Sequence, residues 1–411
     1  MIFYDIVFII FSLFYIPFSL YKKGFRRFNL KSRLGFVPEA VRNKLRSSKN
    51  IWIHAVSVGE VMVLGALIDS IKKSMPDHSI VISTTTNTGN EIARKNFESK
   101  AIVIYSPLDL SFSVKRFFRI IKPQVLVIVE TEIWPNLIGK AQKENTPVVI
   151  INGRISPRSF KKYKLARPFL RHTLKKISLF CMQSKDDQER MLAIGAQREK
   201  IKVTGNMKFD INIATSLSLQ AARENLGLAE KDLLIVAGST HRGEEKILVD
   251  AYKNLQGEFK NLKLLIAPRH LNRAPEIRKL VKNTPGIFLL DTIGQLRNFY
   301  SIADIVFIGG SLISHGGQNP IEPAYFSKPI IFGPYMFNFK EIAGILLKET
   351  AAIEVKDRLG LQAAISLLIK DPKKAKAMGF FAKKAIEINK GASNKNFEVI
   401  KSFLPGAKAG G

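Results

Sequence analysis

The chain has 411 residues, too many for one compact core, so two domains of ordinary size are expected. Its 46% hydrophobic and 24% charged residues exclude a disordered or fibrous protein. A formal net charge of +30 calls for an anionic partner: nucleic acid, an anionic membrane or a phosphorylated substrate.

The N-terminal stretch "MIFYDIVFIIFSLFYIPFSL" carries one charge, Asp5, in twenty residues. That is close to the length needed to cross a bilayer, and the basic residues Lys22, Lys23, Arg26, Arg27, Lys31 and Arg33 follow it. No basic region precedes it and no small-residue cleavage site follows, so a removed signal peptide fits badly. By the positive-inside rule, residues 1–21 read as an uncleaved anchor or half-inserted helix holding a cytoplasmic body on the membrane. A second basic run, Arg154 to Arg171, also suits anionic lipid. No helix-turn-helix pattern, zinc-finger spacing or RNA-stacking aromatic motif accompanies the charge, so the expected partner is a membrane surface and not nucleic acid.

From residue 51 onward, short apolar runs alternate with longer amphipathic ones, the pattern of parallel sheets covered by helices. Strands are predicted over 51–55, 79–84, 101–105, 125–129, 148–152, 179–182 and 202–204. A second set covers 233–237, 263–267, 286–290, 305–308 and 329–332. Cys181, the one cysteine, follows an apolar run, excludes an internal disulfide, and reads as buried filler in a reducing compartment. The expected division is an anchor at 1–21, a doubly wound domain at 22–208, a linker with a helix at 209–232, a second such domain at 233–385, and a C-terminal helix and tail at 386–411. Ligands of doubly wound sheets bind at the carboxyl ends of strands, so the chemistry is expected in a cleft between the two domains.

The unusual residues fall at those strand ends. In "WIHAVSVGEV" a strand runs into Ser57–Val58–Gly59, and Glu60 then opens an amphipathic helix. The helix dipole alone would explain an acid there, and it should also keep Glu60 ionised at neutral pH. In "ETEIWPNLI", Glu132 has the same bland explanation, whereas Glu130 sits at the strand tip, where a buried carboxylate needs a partner or a task. Lys208 in "GNMKFD" is suited to pair with Glu130 or a substrate phosphate. "KDDQE" at 185–189 reads as a helix cap rather than a metal site, and no other cluster calls for a metal. In the second half, "AGSTHRGEE" offers glycine, hydroxyls and a helix start, which suits an anion. "APRH" ends a strand with Arg269 and His270. "GGSLISHGGQNPIEPA" lets backbone approach a ligand and starts a helix near Asn319, with Glu322 suited to a ribose diol.

Taken together in order and spacing, "SVGE", "ETEIWPNLI", "NGRIS", "GNMKFD", "GSTHRGEE", "APRH" and "GGQNPIEPA" resemble the 3-deoxy-D-manno-octulosonic acid (Kdo) transferases of lipopolysaccharide synthesis. The resemblance covers the chain to about residue 345. It implies an α/β GT-B glycosyltransferase fold of two Rossmann-like domains, CMP-Kdo as donor, no metal or other cofactor, and lipid IVA as acceptor at the cytoplasmic face of the inner membrane. Residue by residue it implies Glu60 as proton acceptor, and Glu130 and Lys208 as stabilisers of the transition state. It places CMP contacts at Pro268 and Arg269, at Ile293, Gly294 and Gln295, and at Asn319, Pro320, Ile321 and Glu322. Around Gly294 relatives can carry methionine and glutamate; a contact through the backbone survives that change, and one through the acid does not. With Glu60 as the one base and no carboxylate assigned as nucleophile, the roles that the resemblance gives imply an inverting displacement. The readings weighed against this one are a membrane-associated GT-B transferase using a UDP-sugar, a non-catalytic lipid-A-binding protein, and a nucleotide-sugar epimerase.

Overall fold

The computed structural model describes residues 4–6, 9, 29–211, 213 and 215–405. The chain forms two compact units, one of Met1–Asn212 with Lys390–Gly411, the other of Ile213–Asn389.

The first unit is built on a seven-stranded sheet: β1 (Lys49–His54), β2 (His78–Thr84), β3 (Ile102–Tyr105), β4 (Pro123–Val129), β5 (Val148–Gly153), β6 (Leu179–Met182) and β7 (Ile201–Val203). All pairings are parallel and the order is β3-β2-β1-β4-β5-β6-β7. Period-two alternation sends side chains to opposite faces, and both faces are apolar because helices cover both. Ile51, Ile53, Val125, Val127 and Val129 enter one core layer, while Trp52, Leu126 and Ile128 enter the other. Trp52 is fully buried against Phe117 and Phe118, and its indole N–H donates to Ser83 Oγ at 2.8 Å. Its helices include α1 (Val58–Met62) after β1, α2 (Ser111–Ile121) before β4, α3 (Pro135–Lys143) after β4, and α4 (Pro157–Leu165) and α5 (Arg167–Leu174) after β5.

The division differs from the sequence reading at the C-terminus. The helix Ala392–Ser402, expected as a separate tail element, packs on the first unit. Phe397, Val399, Ile400 and Leu404 complete a face of its core, and the Asp210 carboxylate accepts from the backbone N–H groups of Gly391 (2.6 Å) and Ser393 (2.5 Å). Residues from Ile213 on, expected within a linker, belong to the second unit, where Asn298 receives the N–H of Ser216 at 2.9 Å.

The second unit has a six-stranded parallel sheet of β8 (Leu233–Thr240), β9 (Leu262–Pro268), β10 (Ile287–Leu289), β11 (Ile305–Ile308), β12 (Ile330–Phe332) and β13 (Ala352–Glu354), ordered β10-β9-β8-β11-β12-β13. β13 has no counterpart among the predicted strands. Helices α6 (Glu244–Gln256), α7 (Leu296–Ile302) and α8 (Ile321–Tyr325) carry residues discussed below. Gly309 shows why glycine is required after β11: a Cβ there would lie 2.3 Å from the carbonyl oxygen of Ser239.

The anchor expected over residues 1–21 lies almost wholly outside the described residues. Among the described residues no helix is long and apolar enough to cross a membrane. Asp5, its one charge, accepts from the N–H of Ser111 (3.1 Å) and from Asn136 Nδ2 (2.6 Å) in the first unit.

Candidate active site

In each sheet the strand order reverses once, between β1 and β4 in the first unit and between β8 and β11 in the second. Helices leave such neighbouring strands toward opposite faces, which opens a crevice at the carboxyl edge. The predicted residues of the first unit gather at its crevice. Glu60 follows β1 and Glu130 follows β4, the two strands that flank it.

Glu60 lies on the first turn of α1 and is 5% exposed. One oxygen accepts from the Val56 N–H at 2.7 Å and the other from Ser57 Oγ at 3.0 Å. The S-x-x-E spacing of Ser57 and Glu60 is that of a capping box, but Ser57 caps no N–H, and the carboxylate instead holds the two residues that precede the helix. The expectation that the dipole keeps Glu60 ionised is corrected here. Burial, reinforced by the charges of Glu130 and Glu132 against the two hydrogen bonds, pushes its proton affinity up to a pKa of about 8. A five-residue helix supplies too small a dipole to offset that desolvation.

Glu130 takes a left-handed backbone conformation, φ 59°, and its N–H donates to Ile151 O at 2.9 Å. A non-glycine residue held there costs on the order of 1 kcal/mol, and here the bend ends β4 and starts the acidic loop. Burial and the charge of Glu130 also raise the pKa of half-buried Glu132. Next to them Trp134 meets the ring of His54 edge-on at 5.6 Å. His54, fully buried at the end of β1, has its pKa lowered to about 4 by desolvation and by Arg33, so its imidazole is neutral. The sequence reading passed over His54; a single histidine inside an apolar strand was its only signal.

Lys208 is half-buried in the turn Met207–Asp210. That turn is fixed to the same edge, because the Met207 N–H donates to Asn152 Oδ1 at 3.0 Å and Asn152 lies in the last two residues of β5, beside β4. Cys181 is buried, and its thiol pKa is raised to about 12, which suits filler and not a nucleophile. The "KDDQE" segment caps a helix as expected: Ser184 accepts from the Asp187 N–H, and Asp187 accepts from Ile155 N–H at 2.8 Å.

In the second unit the turn "GSTHRGEE" is tied to the segment after β11 by its own carboxylate, which takes one N–H of the turn and three of that segment. Glu244, fully buried, accepts from the N–H groups of His241 (2.9 Å), Gly310 (2.6 Å), Ser311 (2.9 Å) and Leu312 (3.0 Å). Glu245 receives Thr240 Oγ1 and pairs with Arg273 at 2.6 Å. Pro268 ends β9, and Arg269 is exposed with its N–H held by Thr240 O at 2.9 Å. His241 stacks on His315 at 4.4 Å and meets His270 edge-on at 5.7 Å. Ile293, Gly294 and Gln295 form an exposed turn, Gly294 at φ 87°. Asn319 Oδ1 accepts from Ile321 N–H at 3.0 Å, which turns the chain through Pro320 into α8. Glu322 is already engaged: Arg297 on α7 donates to its Oε1 through Nε (3.0 Å) and Nη2 (2.9 Å), leaving Oε2 for another donor. The histidine trio was legible only as separate motifs.

Two open pockets lie away from these edges. One of about 430 Å³, lined by Lys115, Arg119, Lys122 and Lys140, opens near the start of β4, and an apolar one of about 280 Å³ lies at the starts of β8, β11 and β12.

Two parallel-sheet units of this kind resemble GT-B glycosyltransferases and related epimerases. A glycosyltransferase from Rickettsia africae superposes with a TM-score of 0.63 at 16% identity, over 88% of this chain and 100% of that one. A UDP-GlcNAc 2-epimerase from Neisseria meningitidis gives a TM-score of 0.61 at 13% identity, over 86% of this chain and 100% of that one. At these identities the likeness concerns the fold alone. Sequence carries the comparison further. Residues 29–211 match the family model described as 3-deoxy-D-manno-octulosonic-acid transferase. A 3-deoxy-D-manno-octulosonic acid transferase of Haemophilus influenzae is 33% identical over 92% of each chain. A bifunctional glycosyltransferase/methyltransferase of Fusobacterium nucleatum is 38% identical over 76% of this chain, which spans 51% of that relative's length. The chain belongs to the Kdo transferase family.

Proposed function

We propose that the protein transfers Kdo from CMP-Kdo to the lipid A precursor lipid IVA, by inverting displacement and without a metal, at the cytoplasmic face of the inner membrane. The observation that carries this reading is the pair of carboxylates, Glu60 and Glu130, after the neighbouring strands β1 and β4 in a member of this family.

In the proposed step an acceptor hydroxyl gives its proton to ionised Glu60 while its oxygen attacks the anomeric carbon of Kdo. The bond from that carbon to the phosphate oxygen breaks, and CMP departs with the electron pair. A positioned carboxylate base contributes typically 10²–10⁴-fold. The pKa of about 8 makes Glu60 a base matched to mildly alkaline solution and a ready proton carrier near neutrality. Glu130 and Lys208 are assigned to stabilising charge in the transition state. Charge on departing CMP falls to exposed Arg269 and the backbone around 319–321, with Pro268, Ile293, Gly294, Gln295 and Glu322 shaping the nucleotide contact. Residues 1–21 are assigned to attachment at the membrane.

Mass spectrometry of lipid IVA after incubation with CMP-Kdo tests donor, acceptor and product together. The expected product is heavier by whole Kdo residues, also in the presence of a chelator. Absence of acceptor-dependent CMP release overturns the proposal.

A further inference from the structure

A buried tyrosine normally finds a partner for its hydroxyl. Tyr252, 1% exposed in the second unit, does so: its OH donates to Leu262 O at 3.0 Å and lies 3.0 Å from Pro285 O. Tyr300 on α7 is as deeply placed, at 2% exposed, and lacks such a partner. Its hydroxyl enters no hydrogen bond among the described residues, yet it is not one of the unpartnered polar atoms sealed from water. Gly238 fixes where that hydroxyl stands. A Cβ on this glycine would lie 1.8 Å from the Tyr300 oxygen, so the oxygen rests directly against the Cα of the last β8 residue paired with β11. Those are the strands between which the second sheet reverses, and the crevice opens there.

Glu322 acts on the same hydroxyl. Burial, and then the charge of Glu322, raise the pKa of the phenol, so its hydrogen stays in place to be donated. Arg297, one turn before Tyr300 on α7, holds Glu322 through Oε1 alone and leaves Oε2 unused. One strand end thus carries an unused donor and a fixed carboxylate with an unused acceptor.

We infer that Tyr300 is a further binding residue for the nucleotide donor, its hydroxyl donating to one oxygen of the ribose diol while the other ribose hydroxyl donates to Glu322 Oε2. A free donor with a free acceptor complements a vicinal diol, in which each hydroxyl both gives and takes. A phosphate fits poorly, because it brings no hydrogen for the carboxylate and its charge opposes that of Glu322. The edge of a pyrimidine base also pairs a donor with an acceptor, and the test separates it from the sugar. The site should prefer ribonucleotides to their deoxy forms, since a missing hydroxyl leaves the buried phenol without its acceptor. The inference rests on the proposed reading of the second unit as the donor-binding one.

The test is calorimetric titration of the full-length chain and of Tyr300→Phe with CMP, 2′-deoxy-CMP and 3′-deoxy-CMP. Removing the hydroxyl should weaken CMP about five- to tenfold. The variant should show no loss for the deoxy nucleotide that lacks the accepting oxygen, because that bond is already gone. It should also melt no lower than wild type, since no hydrogen bond within the chain is removed; a lower Tm would give the hydroxyl a structural partner and overturn the proposal. Equal affinity of both proteins for CMP overturns it too, and so does an equal loss for all three nucleotides, which would move the contact to the base. The same series on UMP separates this inference from the proposed function. If UMP binds and CMP does not, the CMP reading fails and Tyr300 is judged on the uridine nucleotides. If CMP binds both proteins alike, that reading stands and the role of Tyr300 falls. Binding of neither nucleotide to wild type overturns both.

Discussion

Glu60 and Glu130 follow neighbouring parallel strands, and the charge of Glu130 raises the proton affinity of Glu60. If Glu60 is the base, only its ionised form works, and that form dominates above a pH of about 8. The kcat/KM of the free enzyme should therefore climb about tenfold per pH unit well below that value and level off above it. Glu60→Gln should lower turnover by about 10²–10⁴-fold with CMP binding retained. A flat wild-type profile between pH 6 and about 8, or near-normal turnover in the variant, ends the assignment.

Removing the neighbouring charge tests the electrostatic link separately from catalysis. Glu130→Gln should displace the midpoint of the pH–rate profile downward, because a like charge no longer opposes ionisation of Glu60. Turnover should fall as well, so the midpoint and not the plateau carries the result. An unmoved midpoint would mean that the charge of Glu130 does not contribute to the proton affinity of Glu60.

The same shift has a consequence for stability. Folded Glu60 holds its proton to a pH of about 8, whereas an unfolded glutamate releases it near 4.5. Between those values the folded state binds more protons, so stability falls as pH rises. The full shift corresponds to roughly 3–5 kcal/mol, lost progressively across that window. Glu60→Gln removes the term, so denaturant titrations should show the variant gaining on wild type from pH 5 to 8 and the difference constant above. A difference independent of pH would sink this reading.

Most strands were legible because both faces of each sheet are covered, which turns a strand into an uninterrupted apolar run such as Val125–Val129. β13 was missed because Ala352, Ile353 and Glu354 bring a single large apolar side chain between an alanine and an exposed acid, so no apolar run marks the strand. The return of the C-terminal helix to the first unit depends on Asp210 meeting Gly391, a contact across 181 residues that no local pattern encodes. At the candidate site, position was readable and energetics was not. Glycines and acids marked the strand ends, but desolvation at Glu60 and the inward fold of Glu244 depend on packing. The spacing of "GSTHRGEE" looks the same whether its donors await a ligand or already hold a side chain.

That second possibility is the one realised at Glu244, and it can be tested without substrate. Both carboxylate oxygens are used, Oε1 by Ser311 and Leu312 and Oε2 by His241 and Gly310. Glu244→Gln keeps the shape but turns an NH2 group toward one pair of donors. Glu244→Ala leaves all four N–H groups without this acceptor, and each buried unsatisfied group costs about 1–3 kcal/mol. The alanine variant should lower the Tm of the second unit by at least about 5 °C, and the glutamine variant by less. Exogenous acetate should restore part of the loss in Glu244→Ala, because a small carboxylate fits the vacated nest and binds only the folded form. Equal melting of wild type and both variants would show that the four hydrogen bonds do not hold the turn between β8 and β11.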